Sequence, residues 1–210
     1  ANSSASPPKT DVAAGNRPTL VLLAGPNGAG KTTLYETRVA PRLKAPFINA
    51  DLIQREELKD ARPAAAYAAA EIASGRRAEC LRLRQSFVTE TVFSHPSKLE
   101  LIESARDAGF RVLVLHVGIG AVDLAVARVA DRVDAGGHTV PEDKIRARFD
   151  RNGPLIRQAV LAADIGQVFD NASLNQPPRH ILTFARGRPT FVVPSLPDWA
   201  ADLYAPDLMI

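Results

Sequence analysis

Cysteine is almost missing from this chain: Cys80 is the only one in 210 residues. That excludes an internal disulfide framework and a cysteine-built zinc site, and such usage fits a reducing cytosol. Cys80 itself reads as a small buried hydrophobe in a helix. Aromatic residues make up 6% of the chain, with one tryptophan. The arginine-rich stretch between Arg128 and Arg157 holds a single aromatic residue, Phe149, and no DNA-binding helix motif, so nucleic acid is not the expected partner. Long apolar runs are also lacking, and none approaches the roughly 18–20 residues that span a membrane. Residues 1–17 contain no apolar stretch of the kind a secretory signal needs, and they read as a disordered polar tail before a single domain over 18–210. The expected location is therefore cytoplasmic. A net charge of +3 is too small to define a partner class.

What is present is a core-forming composition, 46% hydrophobic and 23% charged. TLVLLA (19–24) and RVLVLHV (111–117) are continuous apolar runs, as expected of strands buried on both faces. Shorter strands are expected at 46–49, 86–91 and 166–170, with a late hairpin turning at Arg186-Gly187. Helices are expected at 31–39, 63–85, 96–108, 121–134, 141–152 and 155–163, and a last short one at 197–204. Strands alternating with helices predict an α/β fold, a parallel sheet with helices on both faces. Two helices in series within 121–152, broken at Gly136-Gly137, do not fit simple alternation and read as a lid.

Gly25, Pro26, Asn27, Gly28, Ala29, Gly30, Lys31 and Thr32 satisfy G-x-x-x-x-G-K-[ST], followed by Thr33. The motif follows a buried strand and opens a helix, the context a phosphate-binding P-loop requires. Glycines turn backbone N–H groups inward around the phosphates and the helix adds its positive end. Lys31 is expected on the β/γ-phosphates and the Thr32 hydroxyl on Mg²⁺. GPNGAGKTT is common in ABC transporter ATPases, yet LSGGQ is absent. Val112–Leu115 runs into His116 where a Walker-B strand needs an acid, and the GTPase motif N-K-x-D is missing. The parts of a motor or a switch are absent, which leaves a small-molecule kinase using ATP.

Such a kinase needs a base, an acceptor site and arginines. Asp51 follows the second strand, twenty residues after Lys31. A carboxylate at a strand's carboxyl end can take the proton of an attacking hydroxyl, and the same residue also suits an N-cap for a helix starting at Leu52. Glu90 and Thr91 end the third strand, where Glu90 can bind an acceptor hydroxyl, reach Mg²⁺ through water, or cap a loop. His95 reads as structural. Arg128 and Arg132 share a helix face, as do Arg148 and Arg151. Arginines of this kind close over phosphates and stabilise transferring charge, with Arg128 assigned to ATP, Arg132 and Arg148 to catalysis and Arg151 to the acceptor. Asp170-Asn171 falls where such folds place adenine.

GPNGAGKTT, FINAD (47–51), TETVFSHPSKLELI (89–102), RVLVLHVG (111–118), LAVARVADRVDAGGHTVPEDKIRARFDR (124–151) and DNAS (170–173) resemble the zeta toxin family of P-loop kinases, in its shorter branch. The resemblance implies transfer of the ATP γ-phosphate to a sugar hydroxyl of a UDP-activated amino sugar such as UDP-N-acetylglucosamine. It further implies a toxin–antitoxin setting with a small helical antitoxin. It places the family lysine on Lys31, the base on Asp51, the acid after strand three on Glu90, and the lid arginines among Arg128, Arg132, Arg148 and Arg151. Larger zeta toxins carry E-G-T where this chain has Glu90-Thr91-Val92. A different acceptor (NAD or a polynucleotide end) and a non-catalytic nucleotide-binding module remain as alternative readings of the same residues.

Overall fold

Two apolar runs, 19–24 and 111–118, are too hydrophobic to expose either face, and three shorter segments pair with them side by side beneath helices, making five strands. In the computed structural model, which describes residues 17–60, 62–134, 141–173 and 176–208 (the backbone alone at 63, 132–134 and 150), these are β1 (Thr19–Ala24), β2 (Phe47–Ile48), β3 (Phe87–Thr91), β4 (Arg111–Gly118) and β5 (Ile165–Asp170). With β6 (Arg179–Ala185) and β7 (Arg188–Val192) they form one sheet in the order β2-β3-β1-β4-β5-β6-β7. β1 pairs in parallel with both β3 and β4. The hairpin β6–β7 is antiparallel and closes one edge; Pro189 sits in its outer strand, where a missing N–H is tolerated. The tail expected at 1–17 lies outside the described residues except Arg17, whose guanidinium donates to the Gly109 and Phe110 carbonyls.

Alternation of side chains along β1 divides the core in two. Leu20, Leu22 and Ala24 point to one face, under α3 (Pro63–Arg82), α4 (Ser97–Asp107), the second half of α6 (Glu142–Ala162) and α7 (Asp198–Leu208). Val21 and Leu23 point to the other, under α1 (Lys31–Leu34) and α5 (Val122–Asp134). Cys80 is buried in α3, and burial raises its thiol pKa. No helix among the described residues is long and apolar enough to cross a membrane.

One expectation, the helix over 31–39, is refined, and two need correction. The helix after the P-loop does not stay α-helical: α1 passes into π-helical turns at Tyr35–Val39. The helix after β2 begins at Ala50 rather than Leu52, as α2 (Ala50–Leu52) with π-helical turns at Ile53–Leu58. Its N-cap is Asn49, whose Oδ1 accepts from the N–H groups of Asp51 (2.8 Å) and Leu52 (3.3 Å). The structural alternative for Asp51 therefore fails, because the preceding amide already fills that place. Finally, 141–152 and 155–163 are one continuous helix, α6, with Pro154 inside it. A proline in a helix interior costs about 3 kcal/mol. Beyond it Ile156, Ala159 and Val160 are fully buried, and each large apolar side chain contributes about 1.5–3 kcal/mol. A paired Arg157–Asp207 contact to α7 (2.6 and 2.7 Å) adds to this. Packing outweighs the local break.

Candidate active site

Gly30 turns the P-loop into α1 with φ at +84°, and a side chain there would also collide with the Asn171 amide. Only glycine meets both demands. Lys31 follows and is buried, unusual for lysine unless its ammonium is partnered. Its Nζ donates to the carbonyls of Gly25 (3.0 Å) and Pro26 (2.9 Å) and stands 3.6 Å from Glu90 Oε1. The Thr32 hydroxyl donates to Glu90 Oε2 at 3.1 Å. Asn49 Nδ2 donates to the same oxygen at 3.3 Å. The parallel register that sets Leu23 beside Glu90 and Ala24 beside Thr91 brings these groups together.

Asn49 was not singled out from the sequence. Its signal was present, since asparagine ahead of a short helix is a preferred N-cap, but its second hydrogen bond depends on β2 lying next to β3. Asp51 is the second residue of α2 and is exposed at the same carboxyl rim of the sheet. Thr91 Oγ1 accepts from the N–H of Phe93 at 3.1 Å, which holds the loop at a residue with φ of +55°. His95 is structural: its Nδ1 accepts from the N–H of Ser97 at the start of α4.

The arginines separate. Arg128 is half-buried on α5 and donates to the carbonyls of Asn171 (2.8 Å) and Ser173 (3.2 Å), beside the P-loop. Asn171 Nδ2 donates to the Ala29 carbonyl at 2.9 Å, tying the loop after β5 to the phosphate loop. Arg148 is half-buried on α6. Arg151 is exposed and its Nε donates to the Ala147 carbonyl of its own helix, so it is not gathered into the cluster. The side chain of Arg132 and the segment Gly136-Gly137-His138-Thr139-Val140 lie outside the described residues. Arg146, not anticipated, joins α6 to α5 through Asp123 (2.7 Å) and pairs with Glu142 (2.8 Å).

His116, at the position where an acid was sought, is buried and hydrogen-bonded to the Tyr204 hydroxyl at 2.8 Å. Burial lowers its pKa to about 3, so the ring is neutral. Asn152 is also buried, and among the described residues neither its Nδ2 nor its Oδ1 has a hydrogen-bond partner.

A lysine and a threonine on a phosphate loop, with an acid and an exposed aspartate at adjacent strand ends, are laid out as in the P-loop kinases, the class to which the fold corresponds. The zeta toxin family profile matches residues 5–175, and the chain belongs to that family. A Haemophilus influenzae (strain ATCC 51907 / DSM 11121 / KW20 / Rd) protein of uncharacterised function is 28% identical over 135 residues, 61% of this chain and 91% of its own. Among solved structures, AvrRxo1-ORF1 in complex with AvrRxo1-ORF2 and ATP is similar with a TM-score of 0.66 and 16% identity, over 85% of this chain and 61% of that one. The chain thus spans about three fifths of that protein's length. The PezAT chromosomal toxin–antitoxin system of Streptococcus pneumoniae gives a TM-score of 0.60 at 13% identity, over 89% of this chain and 76% of that one. Likeness at these identities establishes the shared fold.

Proposed function

We propose that the protein transfers the γ-phosphate of ATP to a sugar hydroxyl of a UDP-activated amino sugar, UDP-N-acetylglucosamine or a close relative, as the toxin of a toxin–antitoxin pair in the cytoplasm. The observation that carries the reading is the Asn49–Glu90 contact. It links the strand end that bears Asp51 to the strand end that faces Lys31 and Thr32. An acceptor held at that rim meets a carboxylate and a phosphate loop at once.

Backbone N–H groups of residues 28–32 and the Lys31 ammonium hold the β- and γ-phosphates, with Arg128 and Thr33 completing the ATP site. Thr32 and Glu90 offer two neighbouring oxygens, the hard ligands that Mg²⁺ prefers, directly or through water. Held by these two residues, Mg²⁺ would supply neutralisation of the phosphate charge. Glu90 and Thr91 bind the acceptor; Arg151, turned onto its own helix, takes no part. Its hydroxyl oxygen attacks the γ-phosphorus, its proton passes to the Asp51 carboxylate, and the bond to the β–γ bridging oxygen breaks to release ADP. Arg132 and Arg148, from the α5–α6 lid, stabilise the transferring group. A small helical antitoxin fits this reading as the partner that blocks the ATP site, since the PezAT relative is a toxin–antitoxin system.

The test is an incubation of the purified protein with Mg-ATP and UDP-N-acetylglucosamine, followed by ADP and mass analysis of the sugar nucleotide. Acceptor-dependent ADP with a singly phosphorylated product is the expected result. ADP formed at the same rate without acceptor would overturn the kinase reading. Parallel incubations with NAD and with a 5′-hydroxyl oligonucleotide identify a different acceptor.

A further inference from the structure

The chain's single tryptophan lies on α7, beyond the segment matched by the family profile. Trp199 Nε1 donates to Asp170 Oδ1 at 3.0 Å, at the carboxyl end of β5. Its ring occupies the space that side chains on Gly118 and Gly120 would take; a Cβ on Gly118 would overlap the six-membered ring. The same ring meets His116 edge to face at 5.3 Å between centroids, and His116 is bonded to Tyr204 of α7. So α7 grips the ends of β4 and β5 at three neighbouring places.

Asp170 leads directly to Asn171. The Asn171 N–H donates to the Gly118 carbonyl at 2.8 Å, its Nδ2 donates to Ala29 in the P-loop at 2.9 Å, and its carbonyl accepts from Arg128 at 2.8 Å. A continuous path runs from Trp199 through Asp170 and Asn171 to the phosphate loop, and from Asn171 to Arg128. Trp199 is well suited to its end of that path: the indole N–H is a donor only, on a rigid ring fixed by the two glycines.

We infer that Trp199 is a positioning residue for the nucleotide site. α7 sets the shape of the phosphate loop and the place of Arg128 through the Trp199–Asp170 hydrogen bond. Without the indole N–H, Asp170 loses the partner that fixes its side chain, Asn171 loses its bearing, and the loop's grip on ATP weakens while the fold persists. The inference rests on the P-loop being the ATP site.

The experiment is calorimetric titration of the full chain with Mg-ATP, with melting temperatures measured alongside. Trp199→Phe keeps the ring and removes the donor; Asp170→Ala removes the acceptor; Asp170→Asn retains an oxygen to accept. Trp199→Phe and Asp170→Ala should each weaken ATP binding by about tenfold, the scale of losing one hydrogen bond to a charged group. Asp170→Asn should stay near wild type, and the double variant Trp199→Phe/Asp170→Ala should bind no worse than Asp170→Ala alone. Mg-ATP should also shift the fluorescence of the wild-type tryptophan, a readout available even if a variant does not fold. Unchanged ATP affinity in Trp199→Phe and Asp170→Ala, or fully additive losses in the double variant, overturns the inference alone. A wild type that binds no Mg-ATP overturns the reading of the loop and this inference with it.

Discussion

Asn49 hydrogen-bonds Glu90 with one end of its amide and caps α2 with the other. The Nδ2 donates to Glu90 Oε2 at 3.3 Å, and the Oδ1 accepts from Asp51 N at 2.8 Å. One side chain therefore fixes both the acid beside Lys31 and the backbone that carries the exposed aspartate. Asn49→Asp keeps the cap oxygen but replaces the donor with a carboxylate facing another carboxylate. Activity should fall at least tenfold with the helix retained, since like charges at that distance repel and displace Glu90 from Thr32. Asn49→Ala should lose the cap as well, about 0.5–2 kcal/mol of stability. Turnover and urea unfolding on the two variants separate the effects.

Asp51 is exposed and its own backbone N–H is already capped by Asn49, so its carboxylate is not needed for the fold. Asp51→Asn should leave the unfolding free energy within about 0.5 kcal/mol of wild type, as for other surface substitutions. Turnover should drop by roughly 10²–10⁴, the usual contribution of a positioned base. ATP affinity, measured by calorimetry, should not change. Equal losses in ATP binding and in turnover would remove Asp51 from the role of base.

The buried imidazole of His116 makes stability fall on the acid side. Its pKa in the fold is about 3 against 6.5 when unperturbed. Between those values the unfolded chain binds a proton that the native state refuses. The stability it allows is complete above about pH 6.5 and declines as pH falls toward 3. Unfolding free energy should therefore be lower at pH 5 than at pH 7.5 by up to about 2 kcal/mol from this group. His116→Phe, which cannot take the proton, should flatten that part of the profile. An unchanged pH profile in the variant would assign the acid sensitivity to other groups.

The sheet was legible because its central strands are unbroken apolar runs and the P-loop glycines follow the first of them. Lys31, Thr32 and Glu90 could be placed near one another for the same reason, as parallel strands bring their carboxyl ends together. What could not be read is set by contacts distant in the chain. Trp199 and Asp170 are 29 residues apart, and Asn171 and Ala29 are 142 apart. The four arginines looked alike in sequence, yet Arg128 reaches Asn171 while Arg151 turns onto its own helix. Gly153-Pro154 signalled a helix end by local preference alone, and burial on the far side overrode it.

Asn152 shares with Ile145 and Ile156 the face of α6 that turns inward, by its spacing of seven and four residues from them. Ile145 belongs to the core under α5, Ile156 to the core under α7. The amide thus sits where α6 crosses from one face of the sheet to the other. Buried at 2% exposure with both polar ends unpartnered among the described residues, it costs stability that a same-sized apolar side chain would not. Asn152→Leu should raise the unfolding free energy by about 1–3 kcal/mol, the desolvation penalty of such a group. Asn152→Ala should lower it relative to Asn152→Leu, because it leaves a cavity between the two isoleucines. Chemical denaturation of the three proteins checks this order. A leucine variant less stable than wild type would mean that the amide is satisfied in solution, and that its place on α6 is held by a hydrogen bond rather than by packing.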